Sequence, residues 1–400
     1  MPTGDKDNRV IEYDAQVDSP LIAGEVKVTV LENGLFLKPL LDAVEIPYVG
    51  IRSLELQDYA LAVATDYGMF RFSKMGNWLE PFYDALYSAY NNKVRKALFV
   101  NGVPVIKAWG QYYMEEYGDT AQGAAVIELY EDCVLILPPN DRARRIPLCF
   151  VTSVEKGDFR LSLQLDTEER YTFAKLGYDS EPFEEELTKQ LHLLREKTLQ
   201  AVKEIDPSLT PQQAFTIAKE MPKGVAAPLG SLIAAAPSFA GALERRIKES
   251  RSEEYTIFKS VCDPSQIWVG FHGFDEKSAE DSEETLENEG MLWLIVPGKN
   301  GDTAAVEFVV SEDESAATFI YRFEGAFGDF ARRFNRALEA ISFKREVIRL
   351  PEDALQKPEY ADYAMAIRRN AALRFVRGSF AARVIHASVD SWKKGIDKYL

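Results

Sequence analysis

The sequence predicts an α+β fold assembled from tandem modules, each a set of antiparallel strands closed by a helix. Three observations carry this expectation. The order strand, turn, strand, Ile-Pro, strand, Glu-Pro-Phe helix runs across Gly24–Phe99 and again across Gly123–Val202. Within each copy, apolar and polar residues alternate with the period of a half-buried strand. Each copy then switches to an apolar stripe at helical spacing. Self-similarity on this scale marks one supersecondary unit used twice.

Residues 1–23 read as an N-terminal tail with a short strand at Arg9–Tyr13. The first module, 24–100, opens with Val26, Val28 and Val30 on one face of a strand, then turns at Glu32-Asn33-Gly34. Ile46-Pro47, Ser53-Leu54-Glu55 and Phe72 to Gly76 follow. Pro81 then starts a helix, where a first turn tolerates proline. Residues 101–122 read as a linker, with enough apolar surface at Trp109, Tyr112, Tyr113 and Tyr117 to pack.

The second module, 123–204, repeats the plan with Ile146-Pro147, Ser153-Val154-Glu155, Phe173 to Gly177 and Glu181-Pro182-Phe183. Its closing helix carries Phe183, Leu187, Leu191 and Leu194 on one stripe. Residues 205–253 form a helical linker, with Thr210 as N-cap and Pro211 at the first helical position. A divergent third copy is expected over 254–344, with strands at Tyr255–Val261, Gln266–Phe271, Met291–Val296, Ala304–Val310 and Ala317–Phe323 and a closing helix at Phe327–Phe343. Gly270-Phe271-His272-Gly273-Phe274 reads as a tight turn. The acid-rich Asp275–Glu289 reads as a mobile loop. The chain ends in a helical basic segment, 345–400, with Leu373, Val376, Phe380 and Val384 as its apolar stripe.

The paired Leu31–Leu37 and Tyr130–Leu137 hairpins, the Ile-Pro dipeptides, the Ser-x-Glu tails and the helices from Pro81 and Pro182 resemble the pleckstrin-homology superfold in its bacterial PH-like and GRAM-like versions. The resemblance implies a bent antiparallel sandwich plugged by a helix. It also implies a groove between the closing helix and a neighbouring strand, where such folds take peptides. Members that hold inositol phosphates use basic residues around the first hairpin. Here the hairpin turns, Glu32-Asn33-Gly34 and Glu131-Asp132, are acidic, which argues against that ligand.

Composition narrows function further. With 63 acidic against 47 basic residues the net charge is −16, the wrong sign for a nucleic-acid binder, which needs a positive face. The three cysteines, Cys133, Cys149 and Cys262, form no C-x-x-C pair and suit a reducing, cytoplasmic setting. The three histidines, His192, His272 and His386, stand in separate segments without metal-ligand spacing. Pro297 to Asp302 is a hairpin turn rather than a phosphate loop, and no nucleophile elbow occurs.

The expectation is therefore a non-enzymatic scaffold that binds a protein or peptide, with no cofactor, no metal and no catalytic residue. Candidate partner contacts are Arg142, Arg144 and Arg145, the one basic loop of the second module, and Arg374, Arg377 and Phe380 on the C-terminal stripe. The alternative is peripheral association with a membrane surface through that basic amphipathic segment. An enzyme with an unrecognised site is the least favoured reading.

Overall fold

The computed structural model describes residues 11–39, 42–272, 291–309, 317–344 and 346–400. The expected loop Asp275–Glu289 lies outside them. Among the described residues the chain forms three antiparallel sheets flanked by helices.

The first unit contains β1 (Glu12–Asp18), β2 (Ala23–Val30), β3 (Gly34–Lys38), β4 (Val44–Pro47), β5 (Ile51–Gln57), β6 (Ala60–Thr65), β7 (Gly68–Ser73) and α1 (Leu79–Ala97). The seven strands form one sheet in the order β4-β3-β2-β1-β7-β6-β5. Strand β1 joins the two halves by pairing with both β2 and β7. It begins inside the stretch expected to be a tail. Tyr13, Ala15 and Val17 point inward, and their alternation with exposed polar residues gives the segment a core face. Helix α1 buries Phe82, Leu86, Tyr90 and Val94 over the sheet.

The second unit contains β8 (Ile106–Glu116), β9 (Asp119–Leu129), β10 (Cys133–Leu137), β11 (Arg144–Pro147), β12 (Val151–Gly157), β13 (Arg160–Leu165), β14 (Arg170–Ala174) and α2 (Ser180–Ile205). Its sheet runs β11-β10-β9-β8-β14-β13-β12, the order of the first unit. The two copies share local detail. Each has a register shift at the start of its edge strand, between Ile51 and Ser53 and between Val151 and Ser153. Each holds a lysine in left-handed backbone after its last strand, Lys74 (φ 58°) and Lys175 (φ 57°). The expected linker is thus built into the second sheet: β8 and β9 are its longest strands, at 11 residues each.

Strand β10 is buried on both faces. Val134 and Ile136 enter the second unit's own core, while Cys133, Leu135 and Leu137 pack into the core of the first. The unbroken apolar run Cys133–Leu137 is the sequence signature of such a doubly covered strand.

Beyond α2 come α3 (Pro211–Glu220), β15 (Ala227–Pro228), α4 (Leu229–Ala235) and α5 (Pro237–Val261). Thr210 caps α3 with a reciprocal capping box to Gln213. The third sheet takes β15, β16 (Trp268–His272), β17 (Met291–Pro297), β18 (Thr303–Val309), β19 (Ala317–Arg322) and, after four more helices and turns, its last strand. Those helices are α6 (Phe327–Ala340), α7 (Glu346–Arg349), α8 (Ala361–Arg368) and α9 (Ala371–Ser379), followed by β20 (Phe380–Ile385) and α10 (Val389–Ile396).

This sheet runs in chain order, unlike the order shared by the first two, so the plan expected over 254–344 is not repeated there. Tyr255–Val261, expected as a strand, is the end of α5, with Tyr255, Phe258 and Val261 facing the core at helical spacing. Of the expected turn Gly270–Phe274, Gly270, Phe271 and His272 belong to β16, and Gly273 and Phe274 lie outside the described residues; a Cβ on Gly270 would stand 2.3 Å from the Trp293 ring, so the glycine makes room for that side chain. Phe380–Ile385, expected as helix, is the sheet's edge strand on β19.

Candidate partner-binding groove

Edge strand β5 and closing helix α1 frame a groove, and the chain fills it with its own loop. The Leu54 N–H donates to Pro139 O at 2.8 Å, and the Asp141 N–H donates to Arg52 O at 2.9 Å. These two bonds make an antiparallel bridge between Ser53 and Asn140. From the helix side, the Tyr87 hydroxyl donates to Leu137 O at 2.6 Å and the Tyr90 hydroxyl to Asn140 O at 3.1 Å. Arg52 pairs with Asp141 at 3.3 Å and with Asp66 at 2.6 Å. Arg369 of the turn after α8 donates to the Tyr90 hydroxyl at 2.6 Å and closes the site from above. An extended segment is therefore held by backbone bonds to the strand and by side chains from the helix, the chemistry of strand addition.

The second unit has the same frame without the same filling. Its edge strand β12 pairs only with β13 among the described residues, and all of it beyond Val151 is exposed. By the shared register, Val154 N–H and Thr152 C=O face outward where Leu54 N–H and Arg52 C=O do in the first unit. A cleft of about 510 Å³ adjoins this edge. Leu148, Phe150, Leu191, Leu194, Phe215 and Trp268 give it apolar walls. Phe215, on α3, is 56% exposed there. Arg195 and Lys219, exposed and without an ion pair among the described residues, line the cleft together with Asp166, Glu220 and Arg332.

The basic loop of the second unit has a different role from the one expected. Arg142 is on the surface, paired with Asp119 at 2.6 Å. Arg144 and Arg145 are buried. Arg144 pairs with Glu116 at 2.8 Å. Arg145 pairs with Glu339 of α6 at 2.6 Å and with Asp132 at 3.0 Å. Arg336, also buried, donates to Glu169 at 3.1 Å and to Arg145 O at 2.9 Å. Arg145 and Arg336 bind the second unit to the third sheet's helix and Arg144 is spent within the second unit, so of the three loop arginines only Arg142 is on the surface.

Lys223 joins the network from a left-handed backbone (φ 55°), reaching Asp132 at 2.7 Å and Glu339 at 3.4 Å. Burial opposes the charge on Asp132, but Arg145 and then Lys223 outweigh it and hold that carboxyl well below its usual range. Burial likewise opposes the Lys223 and Arg145 cations, and Glu339 outweighs it and keeps both charged. Burial pushes the Cys133 thiol up to about 12 and the Cys149 thiol well above its usual value, so neither is a nucleophile near neutral pH.

The C-terminal candidates are mostly engaged as well. Arg374 donates to Ile367 O and Arg368 O. Arg377 donates to Val347 O and Leu350 O at 2.7 Å each and pairs with Glu352 at 2.6 Å. Leu373 and Val376 are fully buried against α6, which covers the first half of the stripe that motivated a membrane reading. Phe380 keeps 43% of its surface exposed. Among the described residues no helix is long and apolar enough to cross a membrane, and no group of three His, Cys, Asp or Glu could hold a metal ion.

The pleckstrin-homology resemblance implied a groove between closing helix and strand but not its residues, because its polar parts, Arg52, Asp141, Tyr87 and Tyr90, lie far apart in the chain. The only local signal was Pro138-Pro139-Asn140-Asp141, a loop poor in helix and strand formers that follows a buried strand.

No family model matches the chain, and no curated protein matches it. Among solved structures, one titled "Structure of the Spt16D Pob3N heterodimer" is similar at 12% identity and a TM-score of 0.18, over 43% of this chain and 86% of that one.

Proposed function

We propose that the chain is a non-enzymatic scaffold that binds a protein or peptide partner through the edge of β12 and the adjoining cleft. Tandem pleckstrin-homology-like sandwiches supply its frame. The observation that carries the reading is the first unit's groove, where this chain already adds an extended segment, Pro139–Asp141, to β5. The same edge in the second unit pairs with nothing on its outer side among the described residues, and it borders an apolar cleft. The shared strand order and closing helix support the pleckstrin-homology resemblance. The free thiols, two of them buried, support a reducing cytoplasm.

The test is co-purification from the native host with the full chain and its Val154→Pro variant. Proline removes the outward N–H and is tolerated on a strand edge. A partner captured by the parent and lost by the variant, at equal melting temperature, is the expected result. Equal capture by both would refute the edge as the binding element.

A further inference from the structure

The two grooves differ at the three positions that grip the first unit's own loop, and the difference specifies an occupant. Arg52, which pairs with Asp141 of the loop, is matched in the second unit by Thr152. Tyr87 and Tyr90, whose hydroxyls donate to loop carbonyls, are matched by Thr188 and Leu191. The match follows from the shared marks Ser53 with Ser153 and Phe82 with Phe183. Thr152 already spends its hydroxyl on Gln164 O at 3.0 Å. Thr188 spends its own on Glu184 O at 2.9 Å. Leu191 packs on the second unit's core and lines the cleft. The second groove therefore keeps the backbone edge of the first, loses its cationic grip and hydroxyl donors, and gains apolar wall.

Resting on the scaffold reading above, we propose that the second groove takes an extended peptide segment with a bulky apolar side chain where the first groove takes Asp141. The segment adds antiparallel to β12. Its backbone carbonyl accepts from Val154 N–H, and its backbone N–H donates to Thr152 C=O. The apolar side chain enters the cleft among Phe150, Leu191, Leu194 and Phe215. An aspartate there would lose the arginine that grips Asp141 in the first groove, because threonine stands at that position, and would have to leave water beside apolar walls. A large apolar side chain gains instead by leaving water for the cleft wall, and backbone pairing fixes register while the pocket sets preference.

The experiment measures binding of short fluorescein-labelled peptides to the full chain by anisotropy. The peptides are identical except for leucine, glutamine or aspartate at the central position. The leucine peptide is expected to bind at least about tenfold tighter than the aspartate peptide, a difference of about 1.4 kcal/mol. Thr152→Arg, which restores the first groove's grip, is expected to narrow or reverse that preference without a change in melting temperature.

An aspartate peptide that binds the parent as well as the leucine peptide would overturn the inference, pointing to Arg195 and Lys219 as the grip. It would leave the scaffold reading in place. If no peptide binds, and Val154→Pro captures the same partner as the parent, both readings fall. Sedimentation completes the test. A dimer that dissociates in Val154→Pro would make a second copy of the chain the occupant and refute the peptide assignment.

Discussion

Tyr90 shows how one hydroxyl ties three parts of the chain together. Its ring is buried on the inner side of α1, its hydroxyl donates to Asn140 O, and it accepts from Arg369. Phenylalanine would fill the same space and leave a donor of the buried Arg369 guanidinium and the carbonyl of half-buried Asn140 without this partner. Leaving a buried polar group unpaired costs about 1–3 kcal/mol, so Tyr90→Phe is expected to destabilise the chain by that order in urea denaturation. A change within error would show that water reaches both groups. His272 gives a prediction in pH. Its ring stacks on Phe343 at 3.8 Å between centroids. Burial, with the Lys223 charge adding, lowers its pKa from 6.5 to about 4. The unfolded chain therefore binds a proton below about pH 6.5 that the folded chain refuses until about pH 4. Stability from this residue is present above that window and is lost as pH falls through it. The full loss is at most about 3.5 kcal/mol, because each tenfold difference in proton affinity between the two states is worth about 1.4 kcal/mol. Replacing His272 by phenylalanine is expected to flatten the stability profile between pH 6.5 and 4; an unchanged slope would assign the acid sensitivity to other groups.

The elements that the sequence disclosed are those with one clean face. The two Ile-Pro dipeptides each end a strand, the Glu-Pro-Phe motifs open α1 and α2, and Phe82, Phe183 and Leu187 are fully buried. Strand β8 was hidden because its pattern is inverted. Its inward residues include Gly110 and Glu116, while Trp109 and Tyr113 point outward at 57% and 42% exposure. Gly110 is inward because Leu176 packs on it; a Cβ there would stand 2.6 Å from the leucine methyl. Strand β20 was hidden for a different reason. Leu373 and Val376 belong to a true helix, and Phe380 and Val384 continue the same spacing by coincidence into a strand. The candidate groove was legible only as an implication of the resemblance; which edge is filled and which is open was not, because strand addition depends on backbone groups that carry no residue signature. The interface of α6 with β11 was hidden too, since a buried arginine looks like a surface one in sequence. That interface makes its own prediction. Glu339 is fully buried and faces Arg145, Lys223 and Arg336. Breaking a buried ion pair from one side costs about 3–5 kcal/mol, because the partner charge stays buried. Glu339→Ala is expected to lower stability by that order. Adding Arg145→Met is expected to recover part of the loss. A double variant no better than the single one would show that Arg145 is not the residue left stranded.

At the scale of the whole molecule the C-terminal residues are a structural closure. Strand β20 covers the edge of β19, which is buried from Ala317 to Tyr321. Helix α10 then lays Trp392 and Ile396 on the same core as Phe258 and Leu294. The Trp392 Nε1–H donates to Thr318 Oγ1 at 2.7 Å, and its ring stacks on His386. Both nitrogens of His386 face carboxylates, Glu254 of α5 at 3.2 Å and Glu307 of β18 at 3.1 Å. A basic tail in an acidic protein is thus held by apolar burial first and by charge second. The two contributions separate by experiment. Trp392→Ala removes a fully buried indole and is expected to cost about 3–5 kcal/mol. Exposed pairs such as Lys393–Asp397 contribute about 1 kcal/mol or less, so Lys393→Ala is expected to be nearly neutral. Deleting residues 380–400 would uncover β19 as a long apolar edge, the kind that pairs with other chains. Calorimetry of the truncated chain is expected to lose the transition of the third sheet, and light scattering to report association. A truncated chain that stays monomeric with an unchanged melting temperature would mean that β20 and α10 rest on a sheet complete without them.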